Sequence, residues 1–458
     1  MTERFVFYRN LAAPLPTIAH AKGVWLVDET GKRYLDASGG AMVVNIGHGV
    51  PEIAEAIGRQ AASVAYVNGT AFTSEPVERL AALLARKAPR GLDRVYFLSS
   101  GSEAVEAALK LARQYHVERG EPSRRVIIAQ EPGYHGNTIL ALAASARAHY
   151  KTMFAPWLPE VVTIAAPYPY RFAPDPSALE RLILAAGPAN VAAFIAEPIG
   201  GSSTGASRAE PDYFARVREL CDRYGIVFVC DEVLTGAGRT GTFFGIEHFS
   251  GPDGTTIAPD IITMGKGLNG GFAPLSAVIT SRRMVDTIAA GSGAFMHAQT
   301  YSHNPLAAAA GLAVQRYIEE HDLVRRAASV GEHLGARLAA LAREDSPGAQ
   351  LIGDVRGLGM LWAIELVADR ETKQPFARKR KLGETVVSRA RENGLVLWAN
   401  VGQADGKNGD LVMIAPPFTI DEEEIAELVD RLRRTLNEIA ATFRIDDQPS
   451  KPTEEMYA

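Results

Sequence analysis

Ile226-Val227-Phe228-Val229-Cys230-Asp231-Glu232-Val233 opens the stretch that decides the fold, and Ile261-Ile262-Thr263-Met264-Gly265-Lys266-Gly267 closes it. The first run is apolar and mostly β-branched or aromatic until Asp231, the signature of a strand buried on both faces of a sheet. Turn-rich Thr235-Gly236-Ala237-Gly238-Arg239-Thr240-Gly241 follows, and the second apolar run delivers a lysine between glycines. In an open α/β sheet, ligands bind at the edge formed by the carboxyl ends of neighbouring parallel strands. Asp231 at one strand end and Lys266 at the next can converge at such an edge.

Each residue type has a chemical use there. A lysine amine withdrawn from water loses its proton more readily and forms a Schiff base with a carbonyl. Flanking glycines leave room for a flat molecule against the backbone. A carboxylate beneath a pyridine ring keeps the ring nitrogen protonated, which turns pyridoxal phosphate into an electron sink. Taken alone, the same residues also fit a plainer description: solvated charges at a strand end and a surface lysine in a glycine turn.

The wider pattern, Asp231-Glu232-Val233-Leu234-Thr235-Gly236-Ala237-Gly238-Arg239-Thr240-Gly241 and then Pro259-Asp260-Ile261-Ile262-Thr263-Met264-Gly265-Lys266-Gly267-Leu268, resembles the class III (ω-type) aminotransferases. That resemblance implies an α/β fold, type I of the pyridoxal-phosphate enzymes. Its large domain carries a mostly parallel seven-stranded sheet flanked by helices, and a smaller α+β domain comes from both chain ends. The expected divisions are 1–60 for the N-terminal part of the small domain, 61–325 for the large domain, and 326–445 for the C-terminal part of the small domain. Residues 446–458 are polar and expected to be disordered. The resemblance further implies pyridoxal 5'-phosphate as cofactor, Lys266 as its lysine and proton shuttle, and Asp231 as partner of the pyridine nitrogen. Val233 is expected on one ring face, and Tyr134 of Gly133-Tyr134-His135-Gly136 on the other. His135 is assigned no part in the chemistry, since a bond to a loop carbonyl suffices to hold it.

The strand Arg94-Val95-Tyr96-Phe97-Leu98 leads into Ser99-Ser100-Gly101-Ser102-Glu103-Ala104 and an apolar-periodic helix to about His116. Strand, glycine turn and helix start leave free N–H groups and the positive end of the helix dipole facing the loop. Gly101 and Ser102 therefore form a candidate anion site, which the resemblance to the family's Ser-Gly-Ser-Glu-Ala implies is for the cofactor phosphate, and Ser102 also fits as a helix cap. Thr300, in Gln299-Thr300-Tyr301-Ser302, resembles the family threonine that reaches the phosphate bound in the neighbouring subunit. A homodimer with a shared active site is thereby implied. Glu197, in Glu197-Pro198, is expected to support the site from behind. Gly200-Gly201-Ser202-Ser203-Thr204-Gly205 lacks the Lys-Ser/Thr ending of a P-loop, which weakens any nucleotide reading. His297 and His303 have no cysteine or acidic partner at ligand spacing, so no metal is expected.

At 458 residues the chain exceeds one simple core, so at least two domains are expected. Its composition, 47% hydrophobic and 22% charged, is that of a soluble globular protein. A net charge of −5 provides no electrostatic footprint for nucleic acid or an anionic membrane. No apolar run approaches a membrane span, and Met1-Thr2-Glu3-Arg4-Phe5 opens no signal-type apolar segment. The two cysteines, Cys221 on a helix and Cys230 in a buried strand, read as packing residues in a reducing compartment. A cytoplasmic location is expected.

Elsewhere, periodicity predicts helices over 75–87, 211–224 and 421–439 and one long helical region over 307–341. Strands are expected at 24–27, 34–35, 191–196, 395–398 and 411–414, and 355–366 reads as a glycine turn into a further strand. The Pro- and Tyr-rich 155–176 reads as an excursion over the surface, and Arg378-Lys379-Arg380-Lys381 as a solvated helix face. Met42 stands where amine-accepting relatives often carry a large aromatic; a roomier pocket and simple core filling both fit. Leu234 replaces the glutamine with which many class III members bond the ring hydroxyl, so that bond is absent or replaced here. Between Val401 and Pro416 there is no arginine to grip a substrate carboxylate, and Lys407 is the only cation. Either another residue binds the carboxylate or the donor is an amine without one. The implied reaction is ping-pong transfer from an amine or amino acid to pyruvate or 2-oxoglutarate. Racemisation or decarboxylating transamination would use the same lysine and aspartate, and a catalytically silent scaffold would have lost one of them.

Overall fold

A computed structural model describes residues 5–9, 11, 15–173 and 175–442. The expected disordered tail lies outside these residues, as do Met1–Arg4 and Pro14. β-Branched runs of four to six residues build a seven-stranded sheet. Its order is Arg94–Leu98, Ser276–Thr280, Ile261–Met264, Val227–Asp231, Val191–Ala196, Val126–Glu131, Val162–Ala165. Ser276–Thr280 runs antiparallel to both its neighbours. The remaining pairings are parallel. Every residue of Val191–Ala196, Val227–Asp231 and Ile261–Met264 is buried, as strands covered on both faces require.

Alternation along these strands feeds two separate cores. Ala193, Ile195, Val227 and Val229 pack with Ala104, Ala108 and Leu111 of the helix Gly101–Glu118. Phe194 and Phe228 face the other way, against Phe214 and Val217 of the helix Tyr213–Tyr224. Because the parallel strands share one direction, the loops after Leu98, Glu131, Ala196, Asp231 and Met264 leave from one edge. Register sets Asp231 beside Thr263, so Lys266 emerges next to it.

The chain ends meet elsewhere. Ile18–Lys22, Trp25–Asp28 and Arg33–Asp36 form a small sheet that Leu395–Val396 joins in parallel. Ile352–Leu358, Leu361–Leu366, Asp410–Ile414 and Trp398–Val401 form a four-stranded antiparallel sheet. One core holds Val24 and Leu35 together with Val386, Leu395, Leu428 and Leu432.

The structure departs from expectation at four points. The helical region over 307–341 is two helices, Pro305–Glu320 and Leu323–Leu341, broken where Asp322 turns left-handed at φ 50°. The segment 155–176 contains the edge strand Val162–Ala165, whose short apolar run is masked by its prolines. The run 395–398 divides between two sheets at Leu397. The basic run is a tight turn, Arg378–Arg380, ahead of the helix Leu382–Glu392, rather than a helix face. Cys221 and Cys230 are buried free thiols. Among the described residues, no helix is long and apolar enough to cross a membrane.

Candidate active site

Five loops at the carboxyl edge of the sheet enclose a cavity of about 170 Å³. Gly101, Ser102, Tyr134, Asp231, Val233 and Lys266 all line it, together with His135, Glu197, Ser202 and Leu234. The helix start is held by a capping box: the Ser100 hydroxyl accepts from Glu103 N, and the Glu103 carboxylate accepts from the N–H groups of Ser99 and Ser100. Ser100 is thus the cap, and Ser102 is left for the loop, where its Oγ accepts from Asn137 N at 3.1 Å. Gly101 admits no side chain. A Cβ there would stand 2.7 Å from Val233 Cγ1.

Lys266 follows extended Gly265 and itself adopts φ 43°, a left-handed conformation costly for any residue with a Cβ. Its amine makes no hydrogen bond or ion pair with any described residue, and it faces the cavity. Burial lowers its pKa from the ordinary lysine value, against the opposing pull of Asp231 and Glu197.

Asp231 is 4% exposed and receives donors on both oxygens. Val233 N and Thr263 Oγ1 donate to Oδ1 at 3.0 and 2.9 Å. His135 Nδ1 lies 2.6 Å from Oδ2. Burial alone would lower the pKa of His135; contact with Asp231 and the charge of Glu197 outweigh it and leave the imidazole above its ordinary value. His135 N donates to Ser145 Oγ, and the imidazole Nε2 is buried without a partner among the described residues. The histidine given no role therefore holds the aspartate. Only the Tyr-His-Gly context could have signalled this, because the strands that bring 135 and 231 together are far apart in sequence.

Tyr134 is oriented by Asn137 Nδ2, which donates to its hydroxyl at 2.9 Å. The loop beyond is fixed by Glu106, whose Oε2 accepts from Thr138 Oγ1, Leu140 N and Ala141 N. Arg147, 8% exposed, spans the back of the tyrosine with its guanidinium 4.5 Å from the ring centroid. It donates to Ser202 Oγ at 2.6 Å and to Ser203 Oγ at 3.0 Å. A lone arginine in the alanine-rich 141–148 sends no local signal.

Burial raises the Glu197 carboxyl above its ordinary range, partly countered by His135 and Arg147. Glu232, beside Asp231 in sequence, points away and accepts from Gly245 N and Ile246 N at 2.8 Å. Leu234 offers the cavity an apolar wall. Met42 is 3% exposed within the core and outside this lining, which favours the core-filling alternative. Thr300 is exposed and lies outside it too.

The arrangement can bind a flat, anionic aldehyde: a nucleophilic amine, a carboxylate, two side-chain faces and a helix start converge on one space. A family model described as "Aminotransferase class-III" matches residues 8–436. An uncharacterized aminotransferase of Bacillus subtilis is 36% identical over 446 residues, covering 95% of this chain and 98% of that protein. A putrescine–pyruvate aminotransferase of Pseudomonas aeruginosa is 36% identical, covering 93% and 91%. Among solved structures, a transaminase from the marine bacterium Virgibacillus superposes with a TM-score of 0.88 at 32% identity, covering 96% of this chain and 97% of that one.

Proposed function

The chain belongs to the class III aminotransferase family, and from that premise we propose that it transfers an amino group from an amine or amino acid to a 2-oxo acid, pyruvate or 2-oxoglutarate, in ping-pong order. The family depends on pyridoxal 5'-phosphate, and the cavity fits such a group. Its glycine floor at Gly101, where a Cβ would strike Val233, and the unbonded Lys266 amine are the observations that support the fit. Lys266 and Asp231 would hold the ring, Tyr134 and Val233 its faces, and Ser102 with the N–H groups at the helix start its phosphate. When bound, this cofactor takes up the electron pair freed at the substrate carbon.

The protein's own groups do the rest. With its pKa lowered, the Lys266 amine is more readily neutral and able to take a proton from the substrate carbon and return it on the cofactor side. Asp231, gripped from three directions, supplies fixed negative charge under the ring. Leu234 and Val233 exclude water from that face. Two further parts belong to the same proposal: a homodimer, and a phosphate contact from Thr300 of the neighbouring subunit.

The observation that carries the proposal is the joint presence of Lys266 and Asp231 in one cavity at the carboxyl edge. A panel of amines and amino acids with pyruvate or 2-oxoglutarate tests it. Amino transfer, with a visible absorbance band that responds to donor and is missing in Lys266→Ala, is the expected result. A band indifferent to every donor would sink it, and loss of CO₂ or racemised donor in place of transfer would redirect it.

A further inference from the structure

Between the strand Val191–Ala196 and the helix Tyr213–Tyr224 the chain folds back on itself as a turn. Gly200 N donates to Ser207 O at 2.8 Å and closes the neck, and Gly205 N donates to Gly201 O at 2.9 Å within it. Residues 201–207 are all buried. Ser202 lines the Lys266 cavity. Gly201 backs two more of its walls, since a Cβ there would stand 2.8 Å from Glu197 Oε1 and 3.0 Å from Leu234 Cδ1. With His135 occupied by Asp231, these three are the side chains of the lining that have no part in holding the cofactor. Substrate meets them.

Two arginines from distant parts of the chain hold the turn. Arg147 donates to the hydroxyls of Ser202 and Ser203. Arg356, on the strand Ile352–Leu358, donates from Nε and Nη2 to the single carbonyl of Thr204, at 3.1 and 2.7 Å. We propose that Arg356 is a positioning residue, which fixes the 201–205 turn and through it the substrate-facing wall of the Lys266 cavity. The proposal rests on the aminotransferase function above and concerns how that site accepts its donor.

Three observations carry it. Arg356 is itself immobilised: Nη1 pairs with Asp354 at 2.7 Å, and Nη2 lies 2.8 Å from both Glu365 Oε2 and Tyr168 Oη. Glu365 is fully buried and also accepts from Arg171 Nε. Two carboxylates already match the guanidinium charge, so Arg356 acts on the turn rather than on an anionic substrate. The turn, in contrast, contains no helix or strand of its own, and Thr204 Oγ1 is buried without a partner among the described residues. Charge-assisted bonds to its carbonyl are therefore a large share of what holds it. Finally, the approach is built for contact. Gly205, at φ 65°, passes so close that a Cβ would stand 2.9 Å from Arg356 Nη2. Loss of the guanidinium leaves a buried carbonyl unpaired and frees the wall to shift, and small displacements of a substrate wall cost rate.

The test compares cofactor-loaded wild type with Arg356→Met, Arg356→Lys and Arg171→Met. Butylamine, benzylamine and glutamate serve as donors with pyruvate, and kinetics follow the donor that wild type turns over fastest. Arg171→Met opens the same buried cluster at Glu365 without touching the turn, so it reports loosening alone. Donor kcat/KM is expected to fall about fivefold or more in Arg356→Met. A smaller fall is expected in Arg356→Lys, which keeps a charge beside Glu365 but cannot place two donors on one carbonyl. Cofactor retention and the Lys266-dependent absorbance band should stay within about twofold of wild type, as should kcat/KM in Arg171→Met. Ser202→Ala should cost less in the Arg356→Met background than in wild type, because both act on one wall. Three results would each overturn the positioning role: an unchanged donor kcat/KM in folded Arg356→Met, an equal fall in Arg171→Met, or effects of Ser202→Ala and Arg356→Met that simply multiply. Should Arg356→Met not fold, Arg356→Lys carries the same comparison. Absence of the band in wild type itself would instead strike the aminotransferase assignment, and this proposal with it.

Discussion

At the residue scale, the site consists of groups whose ordinary behaviour has been shifted by their neighbours. Lys266 pairs left-handed backbone with a lowered pKa, a combination that makes its amine available for chemistry and gives little back to stability. Lys266→Ala is expected to cut amino transfer by about a thousandfold or more, with the fold intact by circular dichroism. His135 makes a prediction with a sign. Its folded pKa lies above the ordinary imidazole value of 6.5, so its ion pair with Asp231 adds stability in full below that value. That contribution is lost as pH rises through the higher folded value. The melting temperature of wild type relative to His135→Asn should therefore shrink as pH increases above 6.5, and a constant difference would contradict the pair. Lys266 and Asp231 were legible in sequence because each sits at a strand end in a recognisable run. The His135 and Arg147 contacts were not, since both depend on which strands become neighbours.

At the scale of elements, the loop after Asp231 is tied down by buried polar groups that face away from the cavity. Glu232 accepts from Gly245 and Ile246, and burial pushes its carboxyl up to about 7. Arg239, 1% exposed, donates to the carbonyls of Met360, Ala415, Pro416 and Val44. Burial draws its guanidinium down to about 9, still charged at neutral pH. One side chain thus joins the turn after Asp231 to three other segments. Arg239→Met leaves those carbonyls unpaired and is expected to destabilise by on the order of 3 kcal/mol, read as a lower urea midpoint. The helix start tests differently. Gly101→Ala puts a methyl 2.7 Å from Val233 Cγ1, so Val233, which lines the cavity, must shift. Cofactor retention on dialysis should weaken about tenfold while helix content stays unchanged. The helix and its Ser-Gly-Ser turn were readable from pattern. That Ser100 rather than Ser102 caps it emerged only with the Glu103 side chain in view.

At the scale of the whole molecule, the buried Glu365 ties the antiparallel sheet to the segment beyond the Val162–Ala165 strand, accepting from Arg171 Nε at 2.6 Å and pairing with Arg356 at 2.8 Å. Thr300, exposed in one chain, belongs to the proposed assembly. Thr300→Ala should weaken cofactor retention several-fold even though it lines no part of its own chain's cavity. Unchanged retention would remove it from the site. What the sequence determined alone is the alternation of strand and helix, the residues that end each strand, and hence the chemical groups available. Hydrophobic period and turn chemistry are local properties and need no knowledge of partners. The order of strands was decided only in three dimensions. It alone sets His135 against Asp231, ties Arg147 to Ser202 and Ser203, and divides 395–398 between sheets. Those contacts join residues distant along the chain, and their energy comes from burying charges and hydrogen bonds together, which no short run of residues encodes.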